Sequence, residues 1–293
     1  MTEDNAVDRS LRFLFEQADI RGETVRLERA YREVTCIHQY PPGVSRMLGE
    51  FMAAGVLLAS TLKFEGRLVL QARSEGQIPL IMVECDENLN LRAIARGAQE
   101  ATATGFDQLL GGGQLAITID PLKGQRYQGI VPLSGDTLAQ CLDEYFRQSE
   151  QLQTRLWLAA DGARAAGLLL QQLPAEITTD AEQADMQWQN ACSLATTVSE
   201  TELLDLSAED LLYRLFHEHE VRLFEPAGAR FRGNCSRERT LRALSALNPA
   251  EIEDLLEELG SITMDCEFCN AQYRFTREDL QDILPGPQSK TLH

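Results

Sequence analysis

Three cysteines near the C-terminus constrain the fold more than any other feature of the sequence. Cys266 and Cys269 form a C-x-x-C motif, and Cys235 lies upstream in the same segment. The motif's spacing lets two thiolates bind one zinc ion or close one disulfide. The segment from 221 to 284 is too small to be held together comfortably by apolar burial alone. It therefore needs a link of this kind.

A helix predicted between the cysteines brings them together. The run Asn248-Pro249-Ala250-Glu251 supplies an N-cap, an N1 proline and an N3 glutamate, and Gly260 ends the helix. Folded as a hairpin with its flanks, this helix places Cys235 beside Cys266 and Cys269. Two other interpretations of the C-x-x-C motif stay open. It is either a turn without a role or a thioredoxin-like redox pair, although such a pair should open a helix after an early strand.

The chain of 293 residues is long enough for two compact units. We predict an α+β protein with a mixed α/β N-terminal domain at 1–175 and an acidic helical linker at 176–220. A small C-terminal domain at 221–293, which carries the three clustered cysteines and is a candidate for zinc binding or redox chemistry, is predicted to complete it, with a disordered tail after Pro285. These boundaries follow changes in composition and in hydrophobic periodicity.

Within the N-terminal domain, periodicity predicts both helices and strands. Residues 44–63 are predicted to form a helix whose small residues permit close packing. Asp136 is predicted to cap a second helix that ends near Gln151. Short β-branched or alternating runs between Gly, Pro and Asn predict strands. These runs are 67–71, 78–85, 114–119 and 127–131, with a hairpin formed by 156–160 and 166–170.

The linker is the most acidic part of the chain. Residues 174–220 contain eleven Asp or Glu residues and a single basic residue, Arg214. Ser207 and Asp210 approximate a capping box, so the second half of the linker is predicted to be helical. A helix of this length is marginal alone, because most helical stability comes from tertiary packing. We therefore expect the linker to switch between docked and frayed states.

The charge of the whole chain restricts its partners. The formal net charge is -18 and the pI is near 4.7, and a surface of that sign repels nucleic acids and anionic membranes. The N-terminus shows no secretory signal, and an odd number of cysteines argues against a static disulfide framework. We expect a cytoplasmic protein with neither nucleic acid nor membrane as a partner. The remaining cysteines are expected to be small buried side chains: Cys36, Cys85, Cys141 and Cys192.

Several collinear motifs resemble one known family. Near the C-terminus, FRGNCSRER at 231–239 is followed by CEFCN at 266–270 and YRF at 273–275. Further matching motifs are RFLF at 12–15, IRG at 20–22, LGE at 48–50, RYQG at 126–129, GDTL at 135–138, SEQL at 149–152 and LYRLFH at 212–217. Over nearly its whole length the chain resembles the bacterial 33 kDa chaperonin family of redox-regulated heat-shock holdases.

The resemblance implies a site and its chemistry. In the family, a Cys-x-Cys followed by a Cys-x-x-Cys holds zinc in the reduced, inactive state. Oxidation forms two disulfides, releases zinc and unfolds the linker and the zinc unit. In this sequence the first of the four positions is Gly233, so the implied zinc ligands are Cys235, Cys266 and Cys269. Cys266 and Cys269 retain the spacing of a redox-active disulfide, and Cys235 is an additional redox thiol.

The missing cysteine leaves the implied zinc site incomplete. We expect weakened zinc binding, with Asp265, His217 and His219 as candidate fourth donors, and complete loss of zinc is the alternative. Weaker metal binding would leave the linker less firmly docked and the chaperone partly active when reduced.

The first functional hypothesis is a non-enzymatic, ATP-independent holdase that binds unfolding client proteins under oxidative and heat stress. A homodimer in the active state is implied by the resemblance only. The alternative is a thiol-disulfide oxidoreductase that uses Cys266 and Cys269, and insulin reduction separates the two. A zinc-ribbon nucleic-acid binder is disfavoured by the charge. The sequence contains neither a G-x-x-x-x-G-K-[ST] loop nor an H-E-x-x-H motif.

Overall fold

The computed structural model describes residues 8–62, 65–233, 235–281 and 284. Its helices and strands follow in the order β1 (Arg9–Phe15), β2 (Ile20–Leu27), α1 (Arg29–Thr35), α2 (Pro42–Thr61), β3 (Gly66–Arg73), β4 (Leu80–Asp86), β5 (Asn90–Arg96), α3 (Phe106–Leu110), β6 (Gln114–Pro121), β7 (Tyr127–Pro132), α4 (Leu138–Tyr145), β8 (Thr154–Ala160), β9 (Ala165–Gln172), α5 (Ala181–Ala195), α6 (Glu200–Asp205), α7 (Ala208–Phe216), β10 (Val221–Leu223), β11 (Ala227–Gly228), β12 (Arg230–Phe231), α8 (Arg237–Leu244), α9 (Pro249–Leu259), β13 (Ile262–Asp265) and β14 (Gln272–Phe275). The α+β fold class is confirmed. Among the described residues, none of the helices has the length and hydropathy that crossing a lipid bilayer requires.

The chain divides into two compact units, Met1–Arg232 and Gly233–His293. The first contains two sheets. In the first sheet the strand order is β10-β1-β2-β9-β8, with β11 also pairing with β1, and in the second sheet it is β12-β5-β4-β3-β6-β7. The pairs are antiparallel except that of β12 with β5.

Helix α2 lies between the two sheets. It contacts β2, β8 and β9 of the first sheet and β3, β4 and β5 of the second. Its small residues permit this close packing: a Cβ on Gly55 would lie 2.8 Å from Cγ1 of Val83, and one on Gly49 would lie 2.7 Å from Cβ of Ala160. The predicted helix is therefore confirmed, with its start at Pro42 and its end at Thr61. The predicted last residue, Lys63, lies outside the described residues.

The other secondary-structure predictions for the first unit agree with the structure apart from one cap. The predicted strands correspond to β3, β4, β6 and β7, and the hairpin to β8 and β9. The N-cap of α4 is Thr137 and not Asp136, because the Thr137 side chain accepts the hydrogen bond from the Gln140 N–H. After Tyr145 the helix continues as a π-helical turn to Glu150 and ends at Gln151, whose φ is 54°.

The acidic linker forms the helices α5, α6 and α7, which pack on the face of the first sheet that points away from α2. The helical prediction for its second half is confirmed, and α5 extends helical structure into the first half. At the start of α7, the Ser207 side chain accepts a hydrogen bond from the Asp210 N–H. At the start of α6, Ser199 and Glu202 form a complete capping box.

The second unit is small. A cluster of six buried residues joins α8 and α9 to the β13–β14 hairpin: Leu244, Ile252, Leu256, Ile262, Phe275 and Leu280. The structure confirms helix α9, with Asn248 as N-cap, Pro249 at its first position and Gly260 as a left-handed C-cap. The predicted tail after Pro285 lies outside the described residues.

The boundary between the compact units lies after Arg232, whereas the sequence analysis placed it after residue 220. The reason is strand pairing. β10 and β11 pair with β1, and β12 pairs with β5, so all three strands belong to the sheets of the first unit. The functional roles assigned to the three predicted segments stay predictions.

Candidate metal and redox centre

The C-x-x-C motif forms a knuckle between β13 and β14. The backbone N–H groups of Cys269 and Asn270 donate to the Cys266 carbonyl at 3.2 and 2.7 Å, and the Cys266 N–H donates to the Ala271 carbonyl at 2.9 Å. Asn270 has a φ of 53°, which completes the tight turn. The knuckle therefore turns both thiols of the motif to one side of the hairpin end.

Cys235 completes a cluster of three thiols. Its Sγ lies 2.7 Å from Sγ of Cys266 and 3.4 Å from Sγ of Cys269. Cys235 stands just before α8, whose N-cap Ser236 accepts a hydrogen bond from the Arg239 N–H. The three sulfur atoms lie within 4.8 Å of one another. The structure brings Cys235, Cys266 and Cys269 together, as the sequence predicts.

Their surroundings shift the pKa values of the Cys235 and Cys266 thiols in opposite directions. Burial raises the pKa of Cys266, but hydrogen bonds from the Cys235 thiol and from the backbone N–H groups of Phe268 and Cys269 outweigh it and leave that pKa below its ordinary value. Burial and the hydrogen bonds that Cys235 makes with Cys266 and Cys269 raise the pKa of Cys235 to about 12. Cys266 is therefore the position at which the cluster best stabilises a thiolate.

The cluster fits a soft divalent metal ion. Three half-buried sulfur donors converge on one point, and thiolates are the donors that zinc takes in structural sites. Among the described residues, the cluster has no fourth donor. A Cβ on Gly233 would lie 3.4 Å from Sγ of Cys269 and 3.7 Å from Sγ of Cys235, without a clash. Gly233 thus occupies the place from which a fourth thiol would enter the site.

A second feature of the molecule is an apolar face covered by the linker. On the outer face of the first sheet, Leu11, Phe13 and Phe15 of β1 alternate with inward residues and pack against α5–α7. A Cβ on Gly22, which faces Phe13 across the strands, would lie 2.0 Å from the Phe13 ring, so the glycine lets that ring lie flat across β2. The strand alternation was a signal for this face, and sequence reasoning missed it.

The linker side of this interface is aromatic as well. The Phe216 ring of α7 meets Phe15 edge-on at 5.1 Å and Phe13 at 6.0 Å between ring centroids. Trp188 of α5 and the leucines of α6 and α7 fill the rest of the interface. We call these residues of sheet and linker together the linker-covered cluster.

Comparison with known proteins identifies the family. The model of the Hsp33 protein family matches residues 8–276. The chain is 52% identical over 286 residues to the 33 kDa chaperonin of Pseudomonas paraeruginosa, covering 97% of this chain and 96% of that protein. It is 51% identical over 282 residues to the 33 kDa chaperonin of Azotobacter vinelandii, covering 95% of each.

The chain belongs to the Hsp33 family. The crystal structure of the 33 kDa chaperonin from Thermotoga maritima has the same fold, with a TM-score of 0.80 over 94% of this chain and 97% of that one, at 21% identity. The family and the names of the relatives support a chaperone role for this chain. Chaperones of this class bind client proteins and are not enzymes.

The candidate fourth donors for a metal in this Hsp33 chain are one residue of the second unit and two of the first. Asp265 is an exposed residue of β13. His217 and His219 belong to the first unit, where the His219 Nε2 lies 3.1 Å from Oδ1 of Asn190 and the His217 ring lies 5.8 Å from that of Tyr213.

The four other cysteines of the chain differ in burial. Cys85 and Cys141 are buried, as expected, and burial raises the pKa of both. Cys192 is half-buried, and Cys36 is exposed near the end of α1. The prediction of a buried side chain is therefore wrong for Cys36, because the helix ends there and turns that position to solvent.

Proposed function

We propose that the chain is an ATP-independent holdase whose outer sheet face binds unfolding proteins once α5–α7 leave it. The observation that carries the proposal is the linker-covered cluster, in which large side chains such as Phe13, Phe15 and Phe216 are fully buried between the sheet and a removable layer. A contiguous apolar face of this kind, once exposed, attracts apolar segments of other proteins.

The linker is suited to leave without unfolding the rest of the unit. α6 has six residues and α7 has nine, lengths at which a helix is marginal without tertiary packing. The sheet beneath is also held on its other side by α2. Loss of the linker therefore leaves a supported sheet, and the free energy of opening is lower than that of global unfolding.

We propose that the thiol cluster is the trigger and that Cys235, Cys266 and Cys269 hold zinc in the reduced protein. When bound, zinc would cross-link the start of α8 to the β13–β14 knuckle and so stabilise a unit with few buried residues. The expectation is weak binding, because the fourth position of the site is Gly233.

Oxidation would act on the same thiols. The Cys266 thiolate attacks hydrogen peroxide, which gives a sulfenic acid and hydroxide. The thiol of Cys269 then displaces water from that sulfur, so that two thiols and one peroxide become one disulfide and two waters. The proposed pairing is Cys266 with Cys269, and Cys235 remains as a third thiol that competes for Cys266. Mass mapping of the disulfide in Cys235→Ser and Cys269→Ser variants tests the pairing.

The test of the function is light scattering from a heat-labile client enzyme. Reduced and peroxide-treated protein are each added in a molar series during heating, together with a count of zinc and of free thiols. Suppression of aggregation by the oxidised protein is expected, with partial suppression by the reduced protein because its zinc site lacks one ligand. An oxidised form without suppression would contradict the holdase proposal, and a fully inactive reduced form would contradict weakened linker docking.

The alternative is a thiol-disulfide oxidoreductase, and the lowered pKa of Cys266 favours it to a limited extent. Against it, the C-x-x-C motif lies between two strands and not at the N-terminus of a helix, where thioredoxin-like pairs are activated. Catalytic turnover in insulin reduction would support this alternative over the holdase.

We further propose a cytoplasmic location, which an odd number of cysteines without a disulfide among the described residues suits. A homodimer in the active state stays a prediction. Sedimentation of the oxidised protein tests it.

A further inference from the structure

One end of the covered sheet face carries three arginines, although the protein as a whole is strongly acidic. Arg9 of β1 and Arg26 of β2 are direct partners across the strands. Arg9 continues the alternation of Leu11 and Phe13 along β1, so it lies on the outer face of the sheet. Its partner Arg26 lies beside it on the same face, at the end of the sheet. Arg164, in the turn between β8 and β9, lies next to this end. We call these three residues the arginine end.

The docked linker places acidic groups on the arginine end. Nη1 of Arg164 lies 2.5 Å from Oδ1 of Asp205, and Nη2 of Arg9 lies 3.2 Å from Oε2 of Glu209. Nη1 of Arg26 donates to the backbone carbonyl of Asp205 at 3.3 Å. These acceptors come from the α6–α7 junction, which is flanked by the leucines of the linker-covered cluster.

The linker fills this end incompletely. Among the described residues, Nε of Arg26 is a buried nitrogen without a hydrogen-bond partner. Beside it lies a cavity of about 200 Å³ that is lined by Arg9, Arg26, Leu206 and Ser207, among others. A carboxylate from another chain would find both room and a donor there, because an unpaired buried donor gains from any acceptor that reaches it.

We infer that the exposed face selects client segments in which acidic residues lie beside apolar ones. The linker has this pattern itself, with Asp205 and Glu209 between pairs of leucines, and it is therefore a built-in competitor for the same surface. When it leaves, Arg9 loses Glu209 and Arg164 loses Asp205 beside an open apolar face, while Arg164 keeps its salt bridge with Asp161 of its own turn. An acidic and apolar segment replaces both kinds of contact. This inference rests on the proposed holdase function and adds the chemical class of the client.

The test uses the full chain and three fluorescein-labelled, unstructured peptides with identical leucines and phenylalanines. The residues between them are Glu in one peptide, Ser in the second and Lys in the third. Binding is measured by anisotropy to peroxide-treated protein and, independently of the thiols, to reduced protein that carries Phe216→Asp to displace the linker. The net charge of -18 favours the Lys peptide, so a preference for the Glu peptide would have to come from a local cluster.

We expect the Glu peptide to bind roughly tenfold more tightly than the Lys peptide at low salt, and this ratio to fall to about twofold at 1 M salt, where charges are screened. The double variant Arg9→Gln/Arg164→Gln removes two partly exposed charges and should bring the ratio close to one. Arg147→Gln is the matched control. That arginine pairs with Glu144 on an exposed helix end outside the linker-covered cluster, so the ratio should not change.

Equal binding of the Glu and Lys peptides, or a ratio that survives Arg9→Gln/Arg164→Gln, would overturn the inference. If the activated protein suppresses client aggregation but shows no acidic preference, only this inference fails. If it binds none of the peptides and suppresses no aggregation, the holdase function fails and the inference fails with it.

Discussion

The two compact units are held together by different means. The first has one apolar cluster between its sheets and another beneath the linker. Among its described residues, the second has seven buried apolar side chains and three convergent thiols. A small unit with so little apolar burial depends on a cross-link, and any chemistry at its thiols therefore changes its stability directly. The three clustered thiols thus lie in the unit where apolar burial contributes least to the free energy of folding.

The first unit repeats this contrast on a smaller scale. α2 is buried between two sheets, whereas α6 and α7 are short helices covered on one side only. The layer that would leave the sheet in the proposed function thus includes short helices that depend on tertiary packing for their stability. Activation would then require only the weak elements to open.

The largest expected effect comes from Phe216→Asp, which breaks the linker layer of the first unit. Phe216 is 1% exposed and contacts Phe13 and Phe15. Loss of the ring and burial of a charge should destabilise linker docking by about 3–5 kcal/mol. The reduced variant should suppress client aggregation, and limited proteolysis should cut its linker faster. Tyr213→Asp on the same helix is the control, because Tyr213 is 74% exposed. Equal behaviour of the two variants would contradict the proposed cover.

The next effect concerns the second unit and its missing ligand. Gly233→Cys should supply a fourth thiol, since its Cβ would lie 3.4 Å from Sγ of Cys269. The zinc dissociation constant should fall roughly hundredfold, because changes to groups that only orient the ligands already alter metal affinity by about 10–100-fold. Competition with a chromogenic chelator measures it. Ser245→Cys adds a thiol at the exposed end of α8 and serves as control. An unchanged affinity would show that position 233 is not the ligand position.

Sequence reasoning worked where the signals are local. The cap and end residues of α9, the C-x-x-C knuckle and the strands β3, β4, β6 and β7 follow from neighbouring residues, and the structure contains them. The meeting of Cys235 with the knuckle also followed, because only one helical hairpin separates them.

Sequence reasoning failed where contacts are distant in the chain. β10–β12 are strands of two or three residues whose pairing partners lie far upstream, so no local pattern marks them and the unit boundary was placed too early. The outer sheet face went unrecognised for a related reason. Its burial depends on the linker helices, and Phe13 relies on a glycine of the neighbouring strand.

A smaller effect is expected from Glu50, a half-buried residue of α2. Burial raises its pKa from 4.5 to about 7, with Arg46 opposing this and Glu200 of the linker reinforcing it. A raised pKa stabilises the folded state fully below pH 4.5, and this contribution is lost as the pH rises through about 7. Glu50→Gln should therefore be more stable than the wild type at about pH 8, by about 1–2 kcal/mol.

Urea unfolding of the reduced protein across this pH range tests the role of Glu50. The wild type should lose stability between pH 4.5 and 7 by more than the variant does. Glu33→Gln is the control, because Glu33 is half-buried on α1 and forms a salt bridge with Arg29. Parallel pH profiles of wild type and Glu50→Gln would contradict the assignment.

The smallest expected effect comes from removing one helix N-cap in each of the two units. Asn248 caps α9 in the second unit, and Thr137 caps α4 in the first, each with a side chain that accepts a backbone N–H. Replacing either by Ala should cost about 1 kcal/mol locally. In the small second unit, a loss of about 1 kcal/mol is a large share of the free energy of unfolding. Hydrogen exchange should therefore accelerate across α8, α9 and the β13–β14 hairpin. In the first unit the faster exchange should stay within α4, because α4 packs on β8 of a much larger core. Local exchange in both variants would mean that the second unit is more stable than its few buried apolar residues suggest.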